Sequence, residues 1–392
     1  MTRIAHIASD FLPCRGGAEV YLRQLLEALD RPDRIQSVYQ IDTRAADPRV
    51  VNVRRFPGPL GRRRGFALWH FNLRLNFLCR RLLREDLLIV HYPFHVAGVW
   101  FHPRIIAVSH GVEWRQPPRR LTHRLRRRIA RWAVGKAQAV VANDTNFLRE
   151  MGLPSQPGER PFEERRPGIW FIPNAVDAAR FAGAEPLESL RRLSPILVPR
   201  NASPARGIHL AIEAFAPFSK RHPESCLVIA GNLPAPDYAA RLQEMIRRLG
   251  LDGRTLFAGN IDWELMPRVY RSARMTLVPS LECEGTSIAA LESMAAGTPT
   301  ITTDVGGLAD LPSEKSPAQA EALYERMERV EERREETARR QQRAVAEQFC
   351  LPRWSEAWNR VVEQALERGS VHGPGQSAWK ASPKAPSGCA VR

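Results

Sequence analysis

Short apolar runs alternate with longer segments of helical period along the first 150 residues. A run of four to eight apolar residues is typical of a buried strand, whereas apolar residues at three- and four-residue intervals indicate an amphipathic helix. The alternation predicts βαβ units and a parallel, doubly wound sheet. The predicted strands are 3–9, 36–41, 87–92, 105–110 and 139–143, and the predicted helices are 18–29, 65–84 and 121–134. In the last helix, the stripe expected to face inward is Leu121, Leu125, Ile129 and Trp132, with arginines covering the other faces.

A second α/β pattern follows from about residue 190. The predicted strands are 196–199, 226–230, 255–258, 276–279 and 300–303, and the predicted helices are 207–221, 236–249, 263–273 and 286–296. Two doubly wound sheets in tandem place a ligand crevice at the carboxyl ends of their strands. The sequence therefore predicts an α/β fold of two facing Rossmann-like domains, with the candidate site in the cleft between them.

The segments that flank this second pattern are less regular. Four prolines among residues 151–168 indicate an irregular excursion, and residues 314–348 read as one long charged helix. Because the chain passes directly from Asp310 to a proline-containing segment and that helix, we expect the second sheet to lack an edge strand. A last helix over 353–368 carries a stripe of Trp354, Trp358, Val361 and Ala365, so it must dock on another surface.

These boundaries predict four parts of the chain. Residues 1–180 form a basic N-terminal domain and residues 181–350 a C-terminal domain. Residues 351–368 form a crossover helix that returns to the N-terminal domain, and the Gly-, Ser- and Pro-rich residues 369–392 form a disordered tail.

Composition changes this picture in two respects. The six cysteines lie far apart without a C-x-x-C pair, which is typical of reduced thiols, and no His cluster has metal-binding spacing. The chain shows neither a signal-peptide pattern nor an uncharged apolar run of 18 residues, so we expect a cytoplasmic protein without a membrane span. Residues 51–135 carry 18 basic against 3 acidic residues, so one stretch supplies nearly all of the net charge of +16.

This basic stretch has more than one interpretation. The 65–84 helix mixes apolar, aromatic and basic residues, as interfacial membrane helices do, but its apolar face equally suits the core of the domain. Nucleic-acid binding is a further class, disfavoured because aromatic residues near the arginines are few. We expect the basic stretch to face an anionic acceptor or a membrane surface and expect no nucleic-acid partner.

The segment 279–299 carries the strongest chemical signal. Glu284 stands just before a predicted helix and Glu292 lies eight residues further, roughly 12 Å along a helix axis. The backbone amides of Gly285, Thr286, Ser287 and Ile288 begin that helix, which makes an anion site. The alternative is that Glu284 only complements the helix dipole and that Glu292 is a surface residue.

This segment resembles the E-x7-E motif of the retaining nucleotide-sugar glycosyltransferases of family-4 type, which have the GT-B fold. Four further segments resemble motifs of that family in the same order, namely Arg15 to Glu19, Ile172 to Asp177, Pro199 to Arg206 and Asp304 to Gly307. The resemblance covers nearly the whole chain. It implies a hexosyltransferase that moves a sugar from a nucleoside-diphosphate sugar to a saccharide or lipid-linked acceptor with retention, in cell-surface glycan or glycolipid synthesis. The nucleotide sugar is a substrate, and neither a cofactor nor a metal is implied.

The same resemblance implies roles for individual residues. Glu284 would contact the donor sugar and Glu292 the donor ribose, while Arg200 and Arg206 would bind the pyrophosphate, with ordinary loop charge as the alternative for the arginines. Gly16 and Gly17 would let the backbone approach the phosphates from the N-terminal domain. His110 matches a family histidine that faces donor sugar and acceptor. His91 and His95 are weaker candidates, since a histidine at a strand end is often purely structural. A non-catalytic nucleotide-sugar-binding protein with the same fold is the alternative function.

Overall fold

The computed structural model describes residues 1–12, 16–41, 47–54, 67–112, 121–153, 155–233, 236–282 and 284–367. The predicted tail lies outside these residues. The strands are β1 Thr2–Ile7, β2 Arg34–Ile41, β3 Val50–Val53, β4 Leu87–His91, β5 Ile105–Ser109, β6 Ala139–Ala142, β7 Glu163–Arg166, β8 Ile169–Phe171, β9 Pro195–Val198, β10 Cys226–Ala230, β11 Thr255–Gly259, β12 Met275–Val278, β13 Thr300–Thr303 and β14 Glu314–Ser316. The α-helices are α1 Gly17–Ala28, α2 Ala67–Phe77, α3 Cys79–Leu82, α4 Leu121–Lys136, α5 Thr145–Glu150, α6 Ala178–Ala182, α7 Glu188–Arg191, α8 Ile208–Arg221, α9 Pro236–Arg248, α10 Met266–Ser272, α11 Ile288–Ala295, α12 Ala320–Glu332, α13 Arg334–Gln348 and α14 Leu351–Glu367.

The strands form two sheets, as the alternating pattern predicts. The first has the order β3-β2-β1-β4-β5-β6-β8-β7 and the second β11-β10-β9-β12-β13-β14. All pairings are parallel except that of β7 with β8. In each sheet the order reverses beside the first strand of the unit, which is where doubly wound folds bind ligands. The fold class is therefore confirmed.

The last helix, α14, packs on the first sheet. Trp354 and Trp358 are fully buried in a cluster with β4 and β5 residues, and Trp358 Nε1 donates to Tyr21 Oη over 3.1 Å. Asn359 ties the same helix to α1 through the carbonyl of Ala28, at 3.1 Å. The apolar stripe of α14 thus completes the core of the N-terminal domain, although α14 follows the second domain in the sequence.

The second sheet does have an edge strand, so the expectation that it lacks one is wrong. β14 pairs in parallel with β13, with Glu314 opposite Ile301 and Ser316 opposite Thr303. Lys315 donates to Ser313 Oγ at 2.8 Å and to the carbonyl of Leu308. The strand has the sequence Glu-Lys-Ser, which carries no apolar alternation from which a strand could be recognised.

Three other local predictions need correction. The supposed excursion over 151–168 contains β7, which pairs antiparallel with β8. The long charged helix divides at Arg333 into α12 and α13, and the 65–84 helix divides at Leu78 into α2 and α3.

The face of α4 that packs on the sheet is not the predicted one. Leu125 and Trp132 are 46% and 47% exposed, whereas Ala130, Ala133 and Val134 are buried. Small side chains allow this helix to lie close to the sheet, and side-chain size is not part of the periodicity argument. Leu125 and Trp132 of α4 are thus on the outer surface, among the arginines. Among the described residues, no helix is both long and apolar enough to cross a membrane.

Candidate functional site

A cavity of about 630 Å³ lies at the carboxyl ends of both sheets and is lined by residues from each domain. Of the predicted site residues, the lining includes Gly16, Gly17, His110, Arg200, Arg206, Glu284, Gly285, Thr286, Ser287, Ile288 and Glu292. Of the three candidate histidines, His91 and His95 are not part of this lining. Residues from distant parts of the chain therefore meet where the topology places a ligand crevice.

Glycines 16 and 17 begin α1 and face the second domain. The N-cap residue Gly16 has no side chain, so it gives the first-turn amides no side-chain acceptor. A methyl group placed on Gly17 would lie 3.7 Å from Ile288 Cδ1, which shows how closely α1 approaches α11. The start of α1 therefore offers backbone donors to the cavity, with the positive end of the helix dipole behind them.

Arg200, Arg206 and Glu284 form one charged cluster on the opposite side. Both guanidinium groups donate to Glu284 Oε2, and Ser280 Oγ donates to the same oxygen at 2.9 Å. Burial lowers the pKa of Arg200 to about 10, while the neighbouring Arg200 charge and burial lower the pKa of Arg206 to about 9. Both groups stay cationic at neutral pH, and a single carboxylate faces the two positive charges. The cluster thus keeps a net positive charge beside the helix start.

The start of α11 is organised by the N-terminal domain. Asn143 Oδ1 accepts from both the amide and the hydroxyl of Thr286 at 2.8 Å, and Asn174 N donates to the same hydroxyl oxygen at 2.8 Å. In this conformation the amide of Thr286 is bonded to Asn143, so its predicted role as an anion donor would require that bond to break. Ser287 is the N-cap of α11 and accepts from Ala290 N and Arg200 Nη1.

Gly285 occupies a position that requires glycine. A Cβ atom there would lie 2.6 Å from Asn143 Oδ1 and 2.8 Å from the carbonyl oxygen of His110, both closer than van der Waals contact. The close approach brings the Glu284 segment against the strand end that carries His110. The two domains therefore meet through backbone at the reactive side of the cavity.

Glu292 is buried rather than a surface residue, at 7% exposure. Its two oxygens accept from Tyr270 Oη at 3.1 Å and from Trp263 Nε1 at 3.4 Å. Burial raises the pKa of Glu292 to about 7. The guanidinium groups of Arg23 and Arg180 lie over the Trp263 ring, with centroid distances of 4.4 and 3.5 Å.

His110 lies at the end of β5 and lines the cavity, with its ring edge-on to Tyr21. His91 lies behind it, 3.1 Å away between Nδ1 and His110 Nε2. His95 is buried outside the cavity lining and bonds Asn72 Oδ1 through Nδ1 at 2.7 Å. Of the three candidate histidines, one reaches the cavity, one supports it and one bonds a neighbouring helix.

Sequence reasoning missed several contributors, namely Arg23, Asn143, Asn174, Trp263 and Tyr270. A usable signal existed for the two asparagines, since Asn143 is the last residue of a predicted strand and Asn174 lies in the Ile172 to Asp177 segment. Trp263 and Tyr270 gave no comparable signal, because their partner Glu292 lies more than 20 residues away.

With this geometry established, comparisons with known proteins define the class. Residues 15–157 match the model for Glycosyltransferase Family 4, and residues 194–347 match the model for Glycosyl transferases group 1. The first match takes in strands β2 to β6 of the first sheet, and the second takes in all six strands of the second sheet. The chain has the GT-B fold, and it is similar to Glycosyltransferase Family 4 in its first domain and to the glycosyl transferases of group 1 in its second domain.

Individual relatives agree with this class. The chain is 31% identical to the D-inositol 3-phosphate glycosyltransferase of Acidothermus cellulolyticus over 195 residues, which is 45% of this chain and 42% of that protein. Sucrose-phosphate synthase from Thermosynechococcus elongatus matches with a TM-score of 0.76 at 20% identity, over 93% of this chain and 99% of that one. Anabaena HepE in complex with UDP-glucose matches with a TM-score of 0.72 at 16% identity, over 93% and 100% of the two chains. The aligned regions span only about a quarter to two fifths of the length of several curated relatives.

Proposed function

We propose that this protein transfers a sugar from a nucleoside-diphosphate sugar to a saccharide or lipid-linked acceptor, with retention of anomeric configuration. The convergence of Arg200, Arg206 and Glu284 with the glycine start of α1 across one cavity carries this proposal. Two guanidinium groups and a helix N-terminus suit a diphosphate, and hydroxyl-bearing groups suit a carboxylate. The HepE structure, whose title names UDP-glucose, agrees with a donor of this class.

Each cavity residue has a role in this proposal. Arg200 and Arg206 bind the diphosphate and stabilise the charge that develops when the sugar leaves, an electrostatic contribution that is usually large. Gly16 and Gly17 present backbone amides to the same phosphates. On sugar binding, Glu284 accepts from sugar hydroxyls, and the diphosphate takes its place beside the two arginines.

The nucleoside lies towards Glu292 in this arrangement. Its carboxyl group is held by Tyr270 and Trp263 and borders the cavity, so it is placed to contact the ribose hydroxyls. His110 faces the sugar and the acceptor from the N-terminal domain. Ser287, Ile288 and Gly285 contribute the backbone at the start of α11.

Retention is proposed to proceed by displacement on one face of the sugar, with the leaving phosphate accepting the proton of the incoming hydroxyl. Both carboxylates of the described cavity lining are already bonded, Glu284 to two arginines and Glu292 to Tyr270 and Trp263. This arrangement favours the leaving group over a side chain as the proton acceptor. Proton NMR of the glycosylated product tests the point, since inversion at the anomeric carbon would contradict it.

We propose that the reaction needs no metal ion or other cofactor, because two arginines stand where a cation would stabilise the leaving diphosphate. Turnover should therefore be unchanged by EDTA. A loss of turnover that added Mg²⁺ or Mn²⁺ restores would contradict this part of the proposal.

The outer surface of the N-terminal domain suits an anionic membrane face, and we place the protein in the cytoplasm at such a face, in cell-surface glycan or glycolipid synthesis. Phe77 of α2 and Trp132 of α4 are 70% and 47% exposed. They lie in the stretch that carries 18 basic and 3 acidic residues. Exposed apolar side chains amid basic ones are typical of interfacial binding.

Vesicle co-sedimentation tests the membrane contact. The wild type should pellet with vesicles that contain phosphatidylglycerol and stay in solution with phosphatidylcholine alone. The double variant Phe77→Ser/Trp132→Ser should lose this binding, whereas Leu256→Ser, at an apolar residue of the second domain that is as exposed as Trp132, should keep it. Equal pelleting with both lipids would contradict the electrostatic contact.

A donor screen tests the central proposal. UDP-, GDP- and ADP-sugars are compared for thermal stabilisation, which amounts to about 2.7 kcal/mol at a ligand concentration 100 times Kd. One donor class should stabilise the wild type and Arg241→Ala, a control at an exposed arginine of α9, but not Arg206→Ala. Release of nucleoside diphosphate from the same donor then distinguishes a transferase from a binding protein without turnover.

A further inference from the structure

Three histidines and a glutamine form a continuous chain from the interior of the first sheet to the cavity. His6 on β1 lies between Gln36 on β2 and His91 on β4, and His110 lies at the end of β5. The distances are 3.1 Å from Gln36 Oε1 to His6 Nε2, 3.5 Å from His6 Nδ1 to His91 Nε2, and 3.1 Å from His91 Nδ1 to His110 Nε2. Every ring nitrogen of His6 and His91 therefore faces another member of the chain.

Gln36, at the end of this hydrogen-bond chain that is furthest from the cavity, fixes the direction of the hydrogen bonds. Gln36 Nε2 donates to the backbone carbonyl of Leu26 at 2.9 Å, so Gln36 Oε1 must be the atom that faces His6. A carboxamide oxygen only accepts, so His6 carries its proton on Nε2 and has an accepting Nδ1.

The same rule applies at each following contact. His6 Nδ1 accepts, so a neutral His91 carries its proton on Nε2 and has an accepting Nδ1. His110 then donates from Nε2, which leaves Nδ1 of His110 as an acceptor. Among the residues that the structure describes, none bonds Nδ1 of His110, and the His110 ring lines the cavity.

The chain is also kept neutral. Burial lowers the pKa of His6 and of His110 to about 4 and lowers the pKa of His91 well below its usual value, with the adjacent imidazoles adding to the effect at His91. A neutral ring has one donor and one acceptor, which the directional argument requires. The ring plane of His110 is held by Tyr21, which meets it edge-on with centroids 4.7 Å apart.

We propose that Gln36, His6 and His91 are positioning residues that fix His110 in the Nε2-protonated form, so that its Nδ1 accepts a hydrogen bond from a substrate hydroxyl in the cavity. This inference rests on the proposed function for the identity of the substrate, but not for the tautomer. The opposite tautomer would point an N–H group into the cavity and would favour an anion or a carbonyl oxygen over a hydroxyl. The hydrogen-bond chain selects a hydroxyl donor only if each link keeps its direction, and Gln36 sets that direction.

Nitrogen-15 NMR of the full-length protein with labelled histidine measures the tautomers directly, without substrate. The expected result is Nε2 protonation at His6, His91 and His110. His95 is the internal control, because Asn72 Nδ2 donates to the Phe94 carbonyl and leaves Asn72 Oδ1 to accept from His95 Nδ1, so it should show the opposite form. Nδ1 protonation or a cationic ring at His110 would overturn the proposal.

Two substitutions of His91 test whether the chain acts through His110. His91→Asn keeps an acceptor oxygen near the position of Nδ1, whereas His91→Leu has none. His91→Leu should give His110 a mixture of tautomers and lower kcat/KM about tenfold, the effect of losing one oriented hydrogen bond. His91→Asn should retain the His110 tautomer and most of kcat/KM.

Nucleoside diphosphate affinity separates this inference from the proposed function. It should be the same in both His91 variants and the wild type, because Arg200 and Arg206 are unchanged. A wild type that binds none of UDP, GDP and ADP would refute the proposed function, while the NMR result would still decide the tautomer. Equal kcat/KM in the two variants would overturn the positioning role.

Discussion

Glu292 provides a quantitative test of the cavity's electrostatics. Its carboxyl group is buried at 7% exposure and accepts from Tyr270 and Trp263, and burial raises its pKa from 4.5 to about 7. The substitution Glu292→Gln removes the ionisation but keeps the shape. The amide oxygen can accept from Trp263 Nε1, and the amide nitrogen can donate to Tyr270 Oη, since a phenol also accepts.

The raised pKa makes folding stability depend on pH. Below pH 4.5 the carboxyl group is neutral in both the folded and the unfolded chain, so it contributes no difference. As the pH rises through 7, the unfolded chain has already lost this proton, and the folded chain must ionise the group within the protein. A shift from 4.5 to about 7 therefore costs the wild type about 3 kcal/mol of stability above pH 7, at 1.36 kcal/mol per unit.

Chemical denaturation of both proteins at pH 5 and pH 8 measures this effect. Relative to the wild type, Glu292→Gln should gain about 2.5 kcal/mol between the two pH values, because part of the cost is already present at pH 5 and every other titrating group cancels in the comparison. Glu335→Gln, at a glutamate that is 82% exposed on α13, is the control and should show little change. An identical pH dependence in Glu292→Gln and the wild type would refute the reasoning, because it would mean that Glu292 titrates normally.

The packing argument makes two further predictions. Trp358→Ala should lower the free energy of unfolding by about 3–5 kcal/mol in urea denaturation, because it empties a fully buried site and removes the bond to Tyr21; a loss below 1 kcal/mol would show that α14 is not part of the N-terminal core. Gly285→Ala should weaken nucleotide binding measured by calorimetry, because the added methyl group would overlap Asn143 and His110. Gly135→Ala is its control, with open space around the same atom, and equal affinities in the two variants would contradict the close approach.

The fold was predictable because local sequence patterns indicate most of its strands and helices. Buried parallel strands are continuous apolar runs, and amphipathic helices repeat every three or four residues, so both signals survive in a single sequence. Strand β14 was not predicted because a three-residue polar edge strand depends on backbone pairing with β13 rather than on its own side chains. The inward face of α4 was predicted incorrectly because small residues, including Ala130 and Ala133, pack on the sheet, while Leu125 and Trp132 are exposed.

The site was predictable in its chain order but not in its internal pairing. Motif positions led to Arg200, Arg206 and Glu284, yet nothing in the sequence shows that both arginines share one oxygen of that carboxylate. Thr286 looked like a free donor at a helix start, and the amide is in fact bonded to Asn143 from the other domain. Such contacts join residues more than 70 positions apart. The arginine–glutamate contacts exist only once the second domain has folded, and the Asn143 bond exists only once both domains have folded and docked.

Calorimetric titration with UDP, GDP and ADP most directly tests the claim that this cavity binds a nucleoside diphosphate through Arg200 and Arg206. At least one of the three should bind to the wild type and to Arg241→Ala with the same affinity, and Arg200→Ala and Arg206→Ala should each weaken that binding at least tenfold, as expected for losing a charged hydrogen-bonding group. No binding by any of the three nucleotides, or binding that both arginine variants retain, would contradict the claim.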